Sequence, residues 1–249
     1  MWTRKELKKR AKDVLKNIYW KALLISIVIY LAGGKYGSDG GGGGNNSNSN
    51  GVFPLEITDL NELLPYSISI FAVVLFFTIL ILSLRIFLGY PLEVGGRRYF
   101  IQSACYNNNK GCFRFAFDSN NYKGIVLTML LRGVQNFLWF LLLIIPGIIK
   151  LYSYRMVPYI LADNPNIGAK KAIRLSINMT MGHKFDIFVL DLSFLGWYLL
   201  GALALFIGTF FVMPYDNATN AELYLVLRQN ALDNDLCTYE DLSPNAIEV

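Results

Sequence analysis

"YSISIFAVVLFFTILILSL", residues 66–84, is nineteen residues long and holds no charge. Wound as a helix, it extends roughly 28 Å, about the hydrocarbon thickness of a bilayer. Three other runs repeat the pattern. Leu192 to Tyr215 is 24 uncharged residues, and Gly133 to Ile149 is 17, interrupted by Pro146. Ala22 to Gly34 has only 13, but Ile18 to Trp20 extend it and Lys21 can snorkel. Composition agrees: 54% of residues are hydrophobic, 14% aromatic and only 16% charged, against about a quarter charged in soluble domains. The fold expected is all-α, a polytopic transmembrane helical bundle with amphipathic surface helices, forming one integral membrane domain over residues 1–249.

The 23 Lys and Arg residues exceed the 18 Asp and Glu, but they flank apolar runs and form no single basic face, so no nucleic-acid partner is expected. Cys105, Cys112 and Cys237 are odd in number and lack CxxC spacing, which argues against a disulfide framework and against a zinc site. Residues 1–21 carry eight basic and two acidic side chains. Leu7, Ala11, Val14, Leu15 and Ile18 recur among the lysines at helical spacing. This segment is expected to be a basic amphipathic helix lying on an anionic leaflet and running into the first span. A cleaved signal peptide is the rival, disfavoured by the length and patterning of the basic region.

Counting positive charge orders the loops. The basic N-terminus is expected in the cytoplasm. Residues 33–65, including the glycine- and asparagine-rich stretch, have one basic and four acidic residues and belong outside. Within them, "FPLEITDLNELLP" (53–65) is read as a short surface helix. Residues 85–123 and 150–184 have six basic residues each and belong inside, whereas residues 216–249, which end in the acidic tail 233–249, have one basic and seven acidic residues and favour the outside weakly. Two inside loops require an even number of crossings between them. A break at Pro146 and Gly147 would create a hairpin whose return arm spans Ile148 to Ala162, for about five membrane helices, with four or six as alternatives. Arg155 in that arm also fits a shallow re-entrant segment.

Two charges fall at membrane depth. Arg132, in the helix expected over 124–145, either snorkels to the headgroups, the favoured reading, or partners an anion inside the bundle. Asp191 adjoins a run with no other charge and needs an internal partner. Arg132 and Arg155 are the nearest candidates by depth, and a structural Arg132–Asp191 pair is preferred over a proton relay. His183 is the only histidine, which removes multi-histidine metal sites, and with Lys184 it is read as a headgroup-level junction. Before it, residues 163–184 read as a cytoplasmic amphipathic helix. Asn164 would cap it, Gly182 would end it, and Lys170, Lys171 and Arg174 would form its basic face. After it, Gly196, Gly201, Ala202 and Gly208 would allow close helix contact, Trp197 and Tyr198 would pack between helices, and Pro214 would end the last span.

Several blocks carry a resemblance. "RKELKKRAKDVLKNIYWKAL" (4–23), "VGGRRYFIQS" (94–103), "IIPGIIKLYSYRMVPYILADNP" (144–165), "KKAIRLSINMTMGHKFDIFVLDLSFLGWYLLG" (170–201) and "MPYDNATNAELYLVLR" (213–228) together resemble the bacterial integral membrane proteins grouped as domain of unknown function 975. The resemblance implies a polytopic helical fold and a bacterial membrane, and it carries over no catalytic residue. The function expected is that of a non-catalytic envelope-interaction or lipid-contacting membrane protein without a cofactor. The partners expected are a bilayer with an anionic inner leaflet and other membrane proteins. The alternative is a transporter or permease component for a small solute.

Overall fold

A computed structural model describes residues 2–33, 60–203 and 207–242. Every regular element among them is helical. The chain runs through α1 (Arg4–Leu31), α2 (Leu60–Leu84), a π-helical turn (Arg85–Gly89), α3 (Tyr90–Ala104), α4 (Cys112–Phe117) and α5 (Ser119–Leu142). It continues with α6 (Ile144–Ser153), α7 (Val157–Asp163), α8 (Ala169–Thr180), α9 (Lys184–Leu203), α10 (Ile207–Asp233) and α11 (Tyr239–Leu242). Most of the expected 33–65 loop, and 243–249 of the acidic tail, lie outside the described residues. Residues 60–65 are no separate surface helix, because α2 is unbroken from Leu60.

By length and composition, four helices among the described residues can cross a membrane: Arg4–Leu31, Ser69–Ala104, Ser119–Leu142 and Lys184–Leu203. Their outer faces are apolar. Ile70 to Leu84 exposes large side chains all round, and so do Phe137 to Ile145 and one side of α9. A surface that apolar is stable only in lipid or against another apolar body. The all-α reading and the membrane setting therefore hold together.

The N-terminal segment departs from expectation. Its apolar residues Leu7, Ala11, Val14 and Leu15 are buried against the protein itself, because α1 lies along α10 and α3. The Asn217 amide donates to Ser26 Oγ at 2.9 Å, while Glu6, Leu7 and Arg10 meet Val226 and Asn230 around one pocket, so α1 and α10 run antiparallel. Helix α10 continues through Pro214, where the sequence suggested an end.

The hairpin forms, but its break is displaced. Leu143, not Pro146, leaves the helix, with φ −160° and ψ 141°. A proline ring clashes with the carbonyl four residues earlier, here Leu142, so the helix ends before Pro146 and the proline occupies the first turn of α6. Gly147 then lets α6 fold back, since a Cβ there would lie 2.7 Å from Phe140 Cδ1. The return arm is itself divided into α6 and α7, ten and seven residues long. Neither is long enough to span a bilayer alone.

Helix α8 docks on the protein. Ala172, Ile173, Leu175, Ser176 and Met179 are buried against α5, α6, α7 and α10, while Lys170, Lys171 and Arg174 face outward. Gly182, at φ +79°, makes the turn into α9 that a side chain would disfavour. Gly168 rather than Asn164 precedes the helix. Gly201 and Gly208 bring α9 and α10 together, a Cβ on Gly201 falling 2.7 Å from Gly208 C. Trp197 is 53% exposed and so does not pack between helices.

Candidate functional site

Where α3, α5, α7, α9 and α10 converge, a cavity of about 760 Å³ opens between apolar helix faces. The π turn supplies one wall. The Tyr90 N–H bonds to the Arg85 carbonyl, five residues back, which inserts one extra residue into the helix. Arg85, Tyr90, Glu93 and Arg97 are consequently brought to the same cavity. Glycines press this wall against α1: a Cβ on Gly89 would sit 2.6 Å from the Ala32 carbonyl oxygen, and one on Gly96 2.4 Å from Ile29 Cγ1. The opposite wall is α5, whose Met129, Arg132, Asn136 and Phe140 recur at helical spacing.

Four guanidinium groups line the cavity, those of Arg85, Arg97, Arg132 and Arg155, against two carboxyl groups, those of Glu93 and Asp191. Arginine does not surrender its proton in a protein. Formally two positive charges are in excess among the described lining residues.

Asp191 is fully engaged, though not by Arg132. Arg155 faces it with both terminal nitrogens, Nη2 at 2.7 Å from Oδ1 and Nη1 on Oδ2. Planar fork-to-fork contacts of this kind are among the stronger charge-assisted hydrogen bonds. The Tyr152 hydroxyl also donates to Asp191 Oδ2 at 3.3 Å, and Arg155 Nη2 donates to Asn220 Oδ1 at 2.6 Å. The network continues inward as Asn220 Nδ2 donates to Asp216 Oδ1 at 2.7 Å and the Tyr198 hydroxyl donates to Asp216 Oδ2 at 3.2 Å.

Arg155 reaches Asp191 because the α6–α7 break places it in a non-helical link. That break exposes the Ser153 carbonyl and the Met156 N–H. Ser176, from α8, satisfies both, donating to Ser153 O at 2.7 Å and accepting from Met156 N at 3.2 Å. A residue of the amphipathic helix thereby fixes the cavity's main ion pair.

The other charges are less completely matched. Arg97, 3% exposed, donates to Asn217 Oδ1 at 2.6 Å, and Asn217 donates to Ser26 Oγ at 2.9 Å. Its Nε has no partner among the described residues. Glu93 Oε1 stands 3.9 Å from both Arg97 and Arg132, close enough to attract and too far for a hydrogen bond. Among the described residues, the other acceptor Arg132 meets is the Met129 sulfur, at 3.9 Å. Arg85 donates to the Gly33 carbonyl and lies 5.9 Å from the centroid of the Tyr90 ring, with no carboxylate partner among the described residues. The side-chain oxygen of Asn136 likewise has no hydrogen-bond donor among the described residues.

The proposed Arg132–Asp191 contact is thus replaced by two: Arg155 with Asp191 and Arg132 beside Glu93. All four residues nevertheless share one cavity, whereas Pro146 and Gly147 are not among the residues that line it. Glu93 and Arg97 were read in the sequence as part of a cytoplasmic loop, yet both are buried. Their four-residue spacing around Gly95 and Gly96 was the available signal, a charge pair on a helix that must pack closely. His183 lies outside the cavity, its Nδ1 3.9 Å from Asp186 Oδ2. Among the described residues, no group of three His, Cys, Asp or Glu side chains is arranged to hold a metal.

No curated protein and no solved structure matches the chain. A family model described as "Protein of unknown function (DUF975)" matches residues 57–231, which include every charged residue of the cavity. The match covers well over half of the sequence, and this membrane protein, with its arginine-lined cavity, belongs to that family.

Proposed function

We propose that the protein is a non-catalytic, lipid-contacting component of the bacterial cytoplasmic membrane, and that its cavity receives the headgroup of an anionic amphiphile. One observation carries this reading: two guanidinium charges exceed the carboxylates in a cavity whose rim is apolar. A buried cation without a partner is costly, so an anion that completes it is favoured. Phe137, Val134, Leu82 and Ile86 at the rim suit a hydrocarbon chain.

The basic face of α8 and the basic residues of α1 support a cytoplasmic N-terminus by the positive-inside rule. In a cysteine-free background, maleimide should label Lys170→Cys from the inner side and Ser47→Cys from the outer side. Labelling from one side sinks this topology.

The binding role is tested by native mass spectrometry of the protein released from bacterial membrane in mild detergent. An anionic lipid retained in roughly one copy is the expected result. Retention of zwitterionic lipid alone would reject the reading. Retention of a water-soluble anion in its place would favour the transporter alternative.

A further inference from the structure

We infer that the cavity selects a phosphate monoester, a headgroup carrying two negative charges, over the singly charged phosphodiesters of common anionic lipids. This rests on the proposed anionic-amphiphile site and names its ligand class. The charge inventory is the first reason. Arg155 is neutralised by Asp191 through paired contacts. Arg85, Arg97 and Arg132 then share the single carboxylate of Glu93. A diester would leave one guanidinium uncompensated, whereas a monoester dianion leaves none.

The donor inventory is the second reason. The deeply buried Arg97 has an Nε without a hydrogen-bond partner, and Arg132 has no oxygen acceptor within bonding distance among the described residues. A monoester phosphate offers three terminal oxygens, enough for these donors from two different helices. A diester offers two. The apolar rim favours a lipid as the carrier of that phosphate.

The test is a competition in nanodiscs of zwitterionic lipid doped with equal, small amounts of phosphatidic acid and phosphatidylglycerol, read as bound lipid by native mass spectrometry. At pH 8 the wild type should hold phosphatidic acid over phosphatidylglycerol by roughly tenfold, the effect of one extra charge near an uncompensated guanidinium. At pH 5, below the second ionisation of a phosphate monoester near ~6, the preference should shrink several-fold. Arg132→Gln and Arg85→Gln should each reduce the ratio, and the double variant should bring it to about one. Because both lipids are read from the same folded molecules, partial unfolding of a variant does not change the ratio. Arg132→Lys, which restores the charge, should recover part of it.

Equal binding of both anionic lipids by the wild type overturns the monoester assignment and leaves the anionic-lipid reading standing. Binding of neither above the zwitterionic background overturns both. A third arm adds glycerol phosphate at millimolar concentration. Failure to displace phosphatidic acid is expected, and complete displacement would overturn the lipid as carrier and assign the site to a soluble phosphate.

Discussion

Arg155 and Asp191 face each other as planar forks across the cavity, with Nη2 and Oδ1 2.7 Å apart, although 36 residues separate them in the chain. The pair ties the short return arm to α9, and Asn220 ties it to α10. Each partner is mostly buried, so removing one strands the other's charge. Asp191→Ala or Arg155→Ala should destabilise the protein by about 2–4 kcal/mol in detergent. In a double-mutant cycle, Arg155 and Asp191 should couple by at least ~1 kcal/mol, whereas Arg132 and Asp191 should be additive within about 0.5 kcal/mol. The opposite pattern would restore the pairing suggested by the sequence.

Ser176 holds the link from which Arg155 projects. Ser176→Ala removes two buried hydrogen bonds and leaves the Met156 N–H without its acceptor, at a cost of about 1–3 kcal/mol. Its effect should not add to that of Arg155→Ala, because the two act on one segment. Denaturant unfolding of the two single variants and the double variant decides this, and strict additivity would break the connection.

Asp163 gives the fold a pH dependence of defined sign. Burial raises its carboxyl from the usual 3.8 to about 6, with Arg228, the Tyr224 hydroxyl and Arg98 opposing the rise. The folded state therefore binds the proton more tightly than the unfolded chain. The associated stability is complete below pH ~4 and is lost as pH rises through about 6, amounting to some 2–3 kcal/mol. Asp163→Asn should flatten this part of the profile between pH 4 and 6. Subtracting the variant's unfolding curve from the wild type's isolates it, and a difference that rises with pH would contradict the assignment.

Gly96 sets the distance between α1 and α3. Gly96→Ala brings a Cβ within 2.4 Å of Ile29 Cγ1 and should cost about 1–3 kcal/mol. Ile29→Ala in the same chain should recover part of that loss. Absence of any recovery would show that the strain is not between these two residues.

The membrane spans were legible because an uncharged run of nineteen residues has few other physical meanings. Glycine and proline punctuation was partly legible. Gly182 turned the chain where expected, but Pro146 acted three residues upstream of itself, through the carbonyl its ring must avoid, and Pro214 did not act as a terminator. Asp191 was recognised as needing a partner from local pattern alone. Its choice of Arg155 over Arg132 depended on the second break, between α6 and α7, which is stabilised by a hydroxyl 20 residues distant. Arg97 and Glu93 were misplaced because counting charge treats every arginine outside an apolar run as solvated. A continuous helix with a π turn buries them instead.

Where an anionic lipid sits is measured most directly by photo-crosslinking with phosphatidic acid carrying a diazirine near the start of one chain. After proteolysis, labelling should concentrate on peptides containing Leu130 to Phe140 and Leu82 to Ile86, be competed by unlabelled phosphatidic acid, and fall sharply in Arg132→Gln. Labelling spread evenly over the exposed apolar helices, without competition and unchanged in that variant, would mean that the cavity is not the lipid's site.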